Sequence, residues 1–318
     1  MTLILAATLI TACSKEARKG RLLAEGDNYF KAGNYDKAKL SYLNVLQLDP
    51  ANALAFERVG AMWQDEGAPL RAGAFLVRAS VLDPSNAQNR IRLARCYVAM
   101  GRFADAKNEA VKVLEQLPDN GDAIIVLTEA ARSKEDIEAA GEQLQKFPKK
   151  NDVSFYLASA NLFFRKGGPA AAVNALRQAL TVDPKSSTAH MAMGDLYLFQ
   201  KDQKQAGEEF KKAADLAPVR SIERLKYAAF KSATGDAEEV RRISTDITRQ
   251  APDYLPAWTL LAELALKDKK YDEALSLLEN VFGRDAENID GRRLQSEVLL
   301  AKGDTKKAVE VLERLDQT

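Results

Sequence analysis

From about residue 19 onward, apolar residues return every three to four positions through stretches of helical length, and charged residues fill the positions between. That period predicts amphipathic helices, each burying one stripe; the period-two alternation and β-branched runs of strands are missing. Prolines mark the boundaries. Pro50, Pro84 and Pro118 stand 34 residues apart, as do Pro184, Pro218 and Pro252, and Ala286 takes the next slot. The text around them repeats as Leu48-Asp49-Pro50, Leu82-Asp83-Pro84, Val182-Asp183-Pro184 and Leu216-Ala217-Pro218. Gly33, Gly67, Gly101, Gly167, Gly235 and Gly303 fall midway, where a left-handed residue ends a helix without a Cβ penalty. Pro69 and Pro169 stand where second helices open, a position at which a missing N–H costs nothing. The expectation is a series of helix–turn–helix units, none able to bury its apolar face alone, so that the stack is the folding unit.

Two intervals break the period. Pro118 to Pro148 is 30 residues, which predicts a shortened turn near Arg132 to Lys134, with Ser133 and Asp136 forming a capping box for the helix that follows. Pro148 to Pro184 is 36, with the extra residues expected around Asn151 and Asp152. The seventh unit places Arg224, Lys231 and Ser244 at positions usually apolar, read as repeat decay.

Small residues recur where paired helices must approach closely, and large ones where the space beside them needs filling. The first unit reads Leu22, Gly26, Tyr29, Ala38, Tyr42, Val45 and Pro50. The second reads Phe56, Val59, Gly60, Trp63, Ala72, Leu76, Ala79 and Pro84; the sixth Met193, Gly194, Tyr197, Ala206, Phe210, Ala213 and Pro218; the eighth Trp258, Leu261, Ala262, Ala274, Leu278 and Val281. This pattern and its period resemble the tetratricopeptide repeat. The resemblance covers residues 19–318 and implies an all-α fold, an α-α superhelix (solenoid) of about nine tetratricopeptide repeats. They lie near 19–52, 53–86, 87–120, 121–150, 153–186, 187–220, 221–254, 255–288 and 289–318, and the family implies a right-handed twist with a concave groove.

In that family five positions on each first helix line the groove. Carried over, they nominate Asp27, Phe30, Glu57, Asp65, Ile91, Arg95, Glu129, Leu157, Asn161, Phe164, Met191, Asp195, Leu198, Phe199, Glu263 and Glu297 as partner-binding residues. Chaperone-binding members grip a C-terminal carboxylate with Lys and Asn at two of these positions. Here Leu23, Glu57, Ile91, Ile125, Leu157, Met191 and Leu225 stand where the Lys is needed, so that clamp is absent. Recurring acids among apolar residues suggest a protein or peptide partner with a basic or apolar segment. Solvated helix faces explain the acids as well.

Composition narrows the classes. Hydrophobic residues make up 46% and aromatic ones only 7%, the palette of helices. Lys plus Arg (46) nearly cancels Asp plus Glu (45), so no global field draws the chain to nucleic acid. Two cysteines, Cys13 and Cys96, exclude a disulfide framework, and Cys96 reads as a small buried hydrophobe. The lone histidine, His190, falls at a large-residue core position, and no phosphate-binding loop, HExxH pair or nucleophile elbow is found. The expectation is a non-enzyme without cofactor or metal.

The N terminus adds a location. Residues Leu3 to Ile10 are apolar but too short to span a bilayer, which needs roughly 20 residues. They end in Leu9-Ile10-Thr11-Ala12-Cys13, which resembles the lipobox of bacterial lipoproteins. The resemblance implies a signal peptide over residues 1–12, a lipid on Cys13 and a tether over 13–18. The basic start of such a signal is missing, so the natural start is expected upstream. Ser14 after the cysteine resembles lipoproteins sorted to the outer membrane, giving an expected location on its periplasmic face. The opening Ala-Cys-Ser-Lys-Glu, followed by Gly33-Asn34-Tyr35-Asp36-Lys37-Ala38, is similar to repeat lipoproteins of exosortase (PEP-CTERM) systems, tied to exopolysaccharide and surface-protein export. An assembly factor for a pilus secretin or barrel machine, or a soluble intracellular adaptor, are the alternatives.

Overall fold

The computed structural model describes the backbone of residues 2–315 and the side chains of residues 15–315. The lipidation expected at Cys13 lies outside the described side chains. Among the described residues there are eighteen helices and no strand, in consecutive pairs: α1 (Thr2–Lys31) and α2 (Tyr35–Leu48), α3 (Ala53–Asp65) and α4 (Pro69–Leu82), α5 (Ala87–Ala99) and α6 (Phe103–Gln116), α7 (Gly121–Ala130) and α8 (Lys134–Lys146), α9 (Val153–Arg165) and α10 (Pro169–Val182), α11 (Ser187–Phe199) and α12 (Gln203–Leu216), α13 (Ile222–Ala233) and α14 (Ala237–Gln250), α15 (Leu255–Lys267) and α16 (Tyr271–Phe282), α17 (Ile289–Lys302) and α18 (Thr305–Leu315). The chain is an α-α superhelical solenoid by class. None of these helices is long and apolar enough to cross a membrane.

The repeated Asp-Pro text has a mechanical role. Asp49, Asp83 and Asp183 accept from the N–H two residues on, holding the turn. Two residues past each proline, Asn52, Asn86, Asn120 and Ser186 then cap the next first helix by accepting from the N–H three residues on. Between paired helices the six predicted glycines take positive φ, from +71° at Gly101 to +90° at Gly303. In the sixth and eighth repeats the same place is held by Lys201 (φ 64°) and Lys269 (φ 59°), the two non-glycine residues with positive φ among the described residues. Ser133 and Asp136 form the capping box that starts α8.

Close approach explains the helical glycines. A Cβ on Gly26 would stand 2.9 Å from the Tyr42 ring, one on Gly60 2.7 Å from Leu76, and one on Gly194 2.7 Å from Phe210. Tyr42, Leu76 and Phe210 are themselves buried, so the small residue and the large one form a single packing device.

Two compact units make up the chain: Met1–Asp65 with Pro69–Ala130, and Ala131–Thr318 with Glu66–Ala68. Their boundary falls inside the fourth repeat, between α7 and α8. The short interval there has a different origin from the shortened turn expected near Arg132. Residues 131–133 link α7 to α8 as residues 100–102 link α5 to α6, three in each case. The deficit is in the helices: α7 has 10 residues where α5 has 13, and α8 has 13 where α6 has 14. The two extra residues of the next interval sit in the link 147–152, where Asp152 caps α9 through the Ser154 N–H.

Candidate functional site

In the first unit the acids predicted to line a groove are matched by partners. Asp27 accepts from the Tyr42 hydroxyl at 2.5 Å and lies 3.8 Å from the Arg58 guanidinium. Burial, and next the bond to Asp27, push the Tyr42 phenol well above its ordinary pKa. Asp65 accepts from the Tyr35 hydroxyl (3.1 Å) and from Arg92 (3.3 Å). Glu57 is buried and accepts from Asn86 Nδ2 at 3.3 Å. Arg95 pairs with Asp122 at 2.8 Å, and Glu129 is half-buried and engaged as well. Phe30 stacks on Tyr35 at 5.5 Å with the Arg58 guanidinium 5.5 Å over its ring.

In the second unit Asp195 pairs with Lys226 at 2.9 Å and Glu297 with Arg293 at 2.7 Å; Asn161 is half-buried and engaged. Glu263 is the exception to pairing. Burial raises its carboxyl above the ordinary value, while Arg293 and Lys267 oppose the shift.

Two predicted groove residues belong to the core instead. Ile91 is 1% and Leu157 6% exposed. At these positions the first helix faces its packing neighbours, and an apolar side chain there fills the junction rather than offering itself to a partner. Met191 is half-buried against the core of Phe210, Tyr227 and Ile247.

Phe164, Leu198 and Phe199 remain open to solvent, at 38%, 42% and 62% exposure. Phe164 and Phe199 meet edge-to-face with centroids 5.0 Å apart, bridging the fifth and sixth repeats. Together with Ile137, Pro169, Arg132 and Arg165 they line an open cleft. Burying a large apolar side chain is worth about 1.5–3 kcal/mol, so the two rings left exposed side by side form a surface that gains from being covered.

The chemistry-bearing residues are structural. His190 is buried, with Nδ1 against Glu209 Oε2 and Nε2 3.1 Å from the Pro184 carbonyl oxygen. At the same repeat position the Arg90 Nε, Trp258 Nε1 and Arg292 Nε each donate to a carbonyl six residues earlier, of Pro84, Pro252 and Ala286. In these four repeats a side-chain N–H ties the first helix to the turn before it, whereas Phe56 and Ile124 hold the same place without one. Arg224 serves likewise at 3.3 Å from the Ala217 carbonyl oxygen, which gives this seemingly decayed position a use. Burial pushes the Cys96 thiol up to about 12, against the weaker influence of Arg92. Among the described residues no cluster of His, Cys, Asp and Glu is placed to hold a metal.

Paired helices, a glycine packed against a large residue in each of three pairs, and an exposed apolar face on first helices define a repeat protein that recognises other proteins. Comparison with known proteins specifies the repeat. Residues 171–282 match the tetratricopeptide domain of cytochrome c-type biogenesis protein H, and tetratricopeptide-repeat families match 22–52, 64–110 and 265–318. Tetratricopeptide repeat protein 37 of Xenopus laevis is 24% identical over 243 residues, 73% of this chain but 16% of that protein's length. Among solved structures, a tetratricopeptide repeat protein of Parabacteroides merdae superposes with a TM-score of 0.52 at 16% identity, covering 79% of this chain and 99% of that one. Yeast Tom70 matches more loosely, with a TM-score of 0.44 at 14% identity over 95% of this chain and 85% of its own. The chain is a tetratricopeptide-repeat protein, a scaffold for protein–protein contact; proteins of this kind are generally non-catalytic.

Proposed function

We propose that this scaffold works at the bacterial cell envelope, tethered through a lipid on Cys13 at the periplasmic face of the outer membrane, and that it holds an apolar segment of a protein partner. The observation that carries the partner's chemistry is the exposed Phe164–Phe199 pair with Leu198 beside it. The acids expected to attract a basic partner are largely spent, Asp27 on Arg58, Asp65 on Arg92 and Asp195 on Lys226, so apolar contact leads the recognition. The lipobox and the resemblance to exosortase-associated repeat lipoproteins support a role in exopolysaccharide or surface-protein export.

Metabolic labelling with palmitate tests the anchor. The parent takes up label and partitions with membranes, and Cys13→Ala does neither; equal labelling of the two, or none in the parent, removes the anchor from the proposal.

A further inference from the structure

The eleventh position of a first helix is covered to some degree in the other repeats: Tyr97 is 9% and Leu299 6% exposed, and Tyr29, Trp63 and Tyr197 are half-buried. In the fifth repeat Phe163 holds that position and is 44% exposed. Where α8 runs beside α9 it offers Gly141, which lines an unfilled cleft together with Phe163. A Cβ there would meet Lys166 Nζ only at 3.8 Å and Leu162 Cδ1 at 4.0 Å, ordinary contacts with room beyond. Glycine is a poor residue inside a helix, and here it keeps a cleft open. Its walls are Leu144, Phe155, Leu162 and Phe163, and Lys150 and Lys166 stand at its edge.

Charge gives the cleft a sign. No carboxylate lines it. Its lining carries two cations, Lys150 and Lys166, while the acids of α8, Glu135, Asp136, Glu138 and Glu142, lie outside it. Lys150 is held in place: it donates to the Leu144 carbonyl oxygen at 2.8 Å and its ammonium lies 5.1 Å from the Phe155 ring centroid. Lys150 is therefore fixed by the fold, and Lys166 adds a second cation beside it.

We propose that this α8–α9 cleft is a second docking site, which takes an apolar side chain from a protein segment carrying flanking carboxylates. A concave site with a fixed cation suits a peptide anchor better than the flat face of a bilayer. It shares no lining residue with the Phe164–Phe199 cleft, so the two are occupied independently, and this inference stands whether or not that face binds as proposed.

Fluorescence anisotropy on the full chain tests it, with a short labelled peptide of Leu-Phe flanked by Asp and its counterpart flanked by Lys. The parent binds the Asp peptide and not the Lys peptide. Gly141→Leu, which fills the cleft, weakens binding by about tenfold or more, a loss of about 1.4 kcal/mol, whereas Lys211→Ala, at an exposed position outside both clefts, leaves it unchanged. Paired Lys150→Glu and Lys166→Glu substitutions reverse the preference, a readout that survives if Gly141→Leu proves unfolded by circular dichroism. The proposal is overturned if the parent fails to bind the Asp peptide, if both peptides bind alike, or if a folded Gly141→Leu binds as the parent does. Phosphatidylglycerol vesicles that bind the parent in place of the Asp peptide, and lose binding on Gly141→Leu, convert the site to a membrane contact.

Discussion

His190 and Glu209 are joined across the helix pair of the sixth repeat, and one hundred residues earlier Arg90 and Glu109 are joined in the same way across the third. In both, a lysine three residues further on completes the set, Lys212 with Glu209 and Lys112 with Glu109, each at 2.7 Å. A first-helix N–H donor thus binds the second helix with one edge and the preceding turn with the other.

The Glu209 carboxyl is subject first to burial, which disfavours its charge, but Lys212 and His190 outweigh this and hold its pKa below the ordinary value. A depressed carboxylate contributes stability at pH values above its unfolded pKa, about 4.3, and loses it as pH falls through the folded value. Thermal unfolding followed from pH 7 to pH 3 should therefore show a steeper loss of Tm in the parent than in Glu209→Gln. Parallel curves would detach Glu209 from acid stability.

Lys201 and Lys269 hold a left-handed conformation that costs an L-residue about 1–2 kcal/mol and glycine much less. Replacing either by glycine should stabilise the protein, and Gly101→Ala, at the equivalent place, should destabilise it by about 1 kcal/mol. Urea midpoints for the three variants check the sign in both directions.

Gly60→Ala brings a methyl group within 2.7 Å of Leu76 inside the buried core. Overpacking of this kind costs about 1–3 kcal/mol, and Gly194→Ala against Phe210 should behave alike. Gly20, which has nothing within 4 Å, serves as the comparison at which alanine is tolerated.

Cys96 is buried with its thiol raised to about 12, so the thiolate is scarce at neutral pH. Maleimide at pH 7.5 should modify it only after denaturation, and rapid labelling of the native chain would place the thiol at a surface.

Much of this was legible because repetition multiplies weak signals. Any single Leu-Asp-Pro is commonplace, but a period of 34 with glycine at midpoints forces helices to end where Gly101 and Gly303 end them. The close-packed pairs followed, since a glycine inside a helix, such as Gly26, asks for a bulky neighbour and Tyr42 supplies it. What stayed hidden depends on partners distant in sequence. Ile91 and Leu157 fit the spacing of groove residues, yet neighbouring helices cover them. The acids at Asp27, Asp65 and Asp195 read as an open field because their cations, Arg58, Arg92 and Lys226, lie in the next repeat. The short fourth interval showed that residues were missing but not that α7 and α8 had lost them, nor that the two units divide there. Phe163 matched the consensus aromatic, so only its exposure singles it out.

The central claim, that the Phe164–Phe199 face of this scaffold holds a protein partner, is tested most directly by site-specific photocrosslinking. A benzophenone amino acid at position 199, in the full chain expressed in its native cells, should yield a discrete protein adduct that disappears when Phe164→Ala is added. The same probe at exposed Lys211 should yield none. Identical adducts from both positions, or no adduct at position 199, would contradict the account.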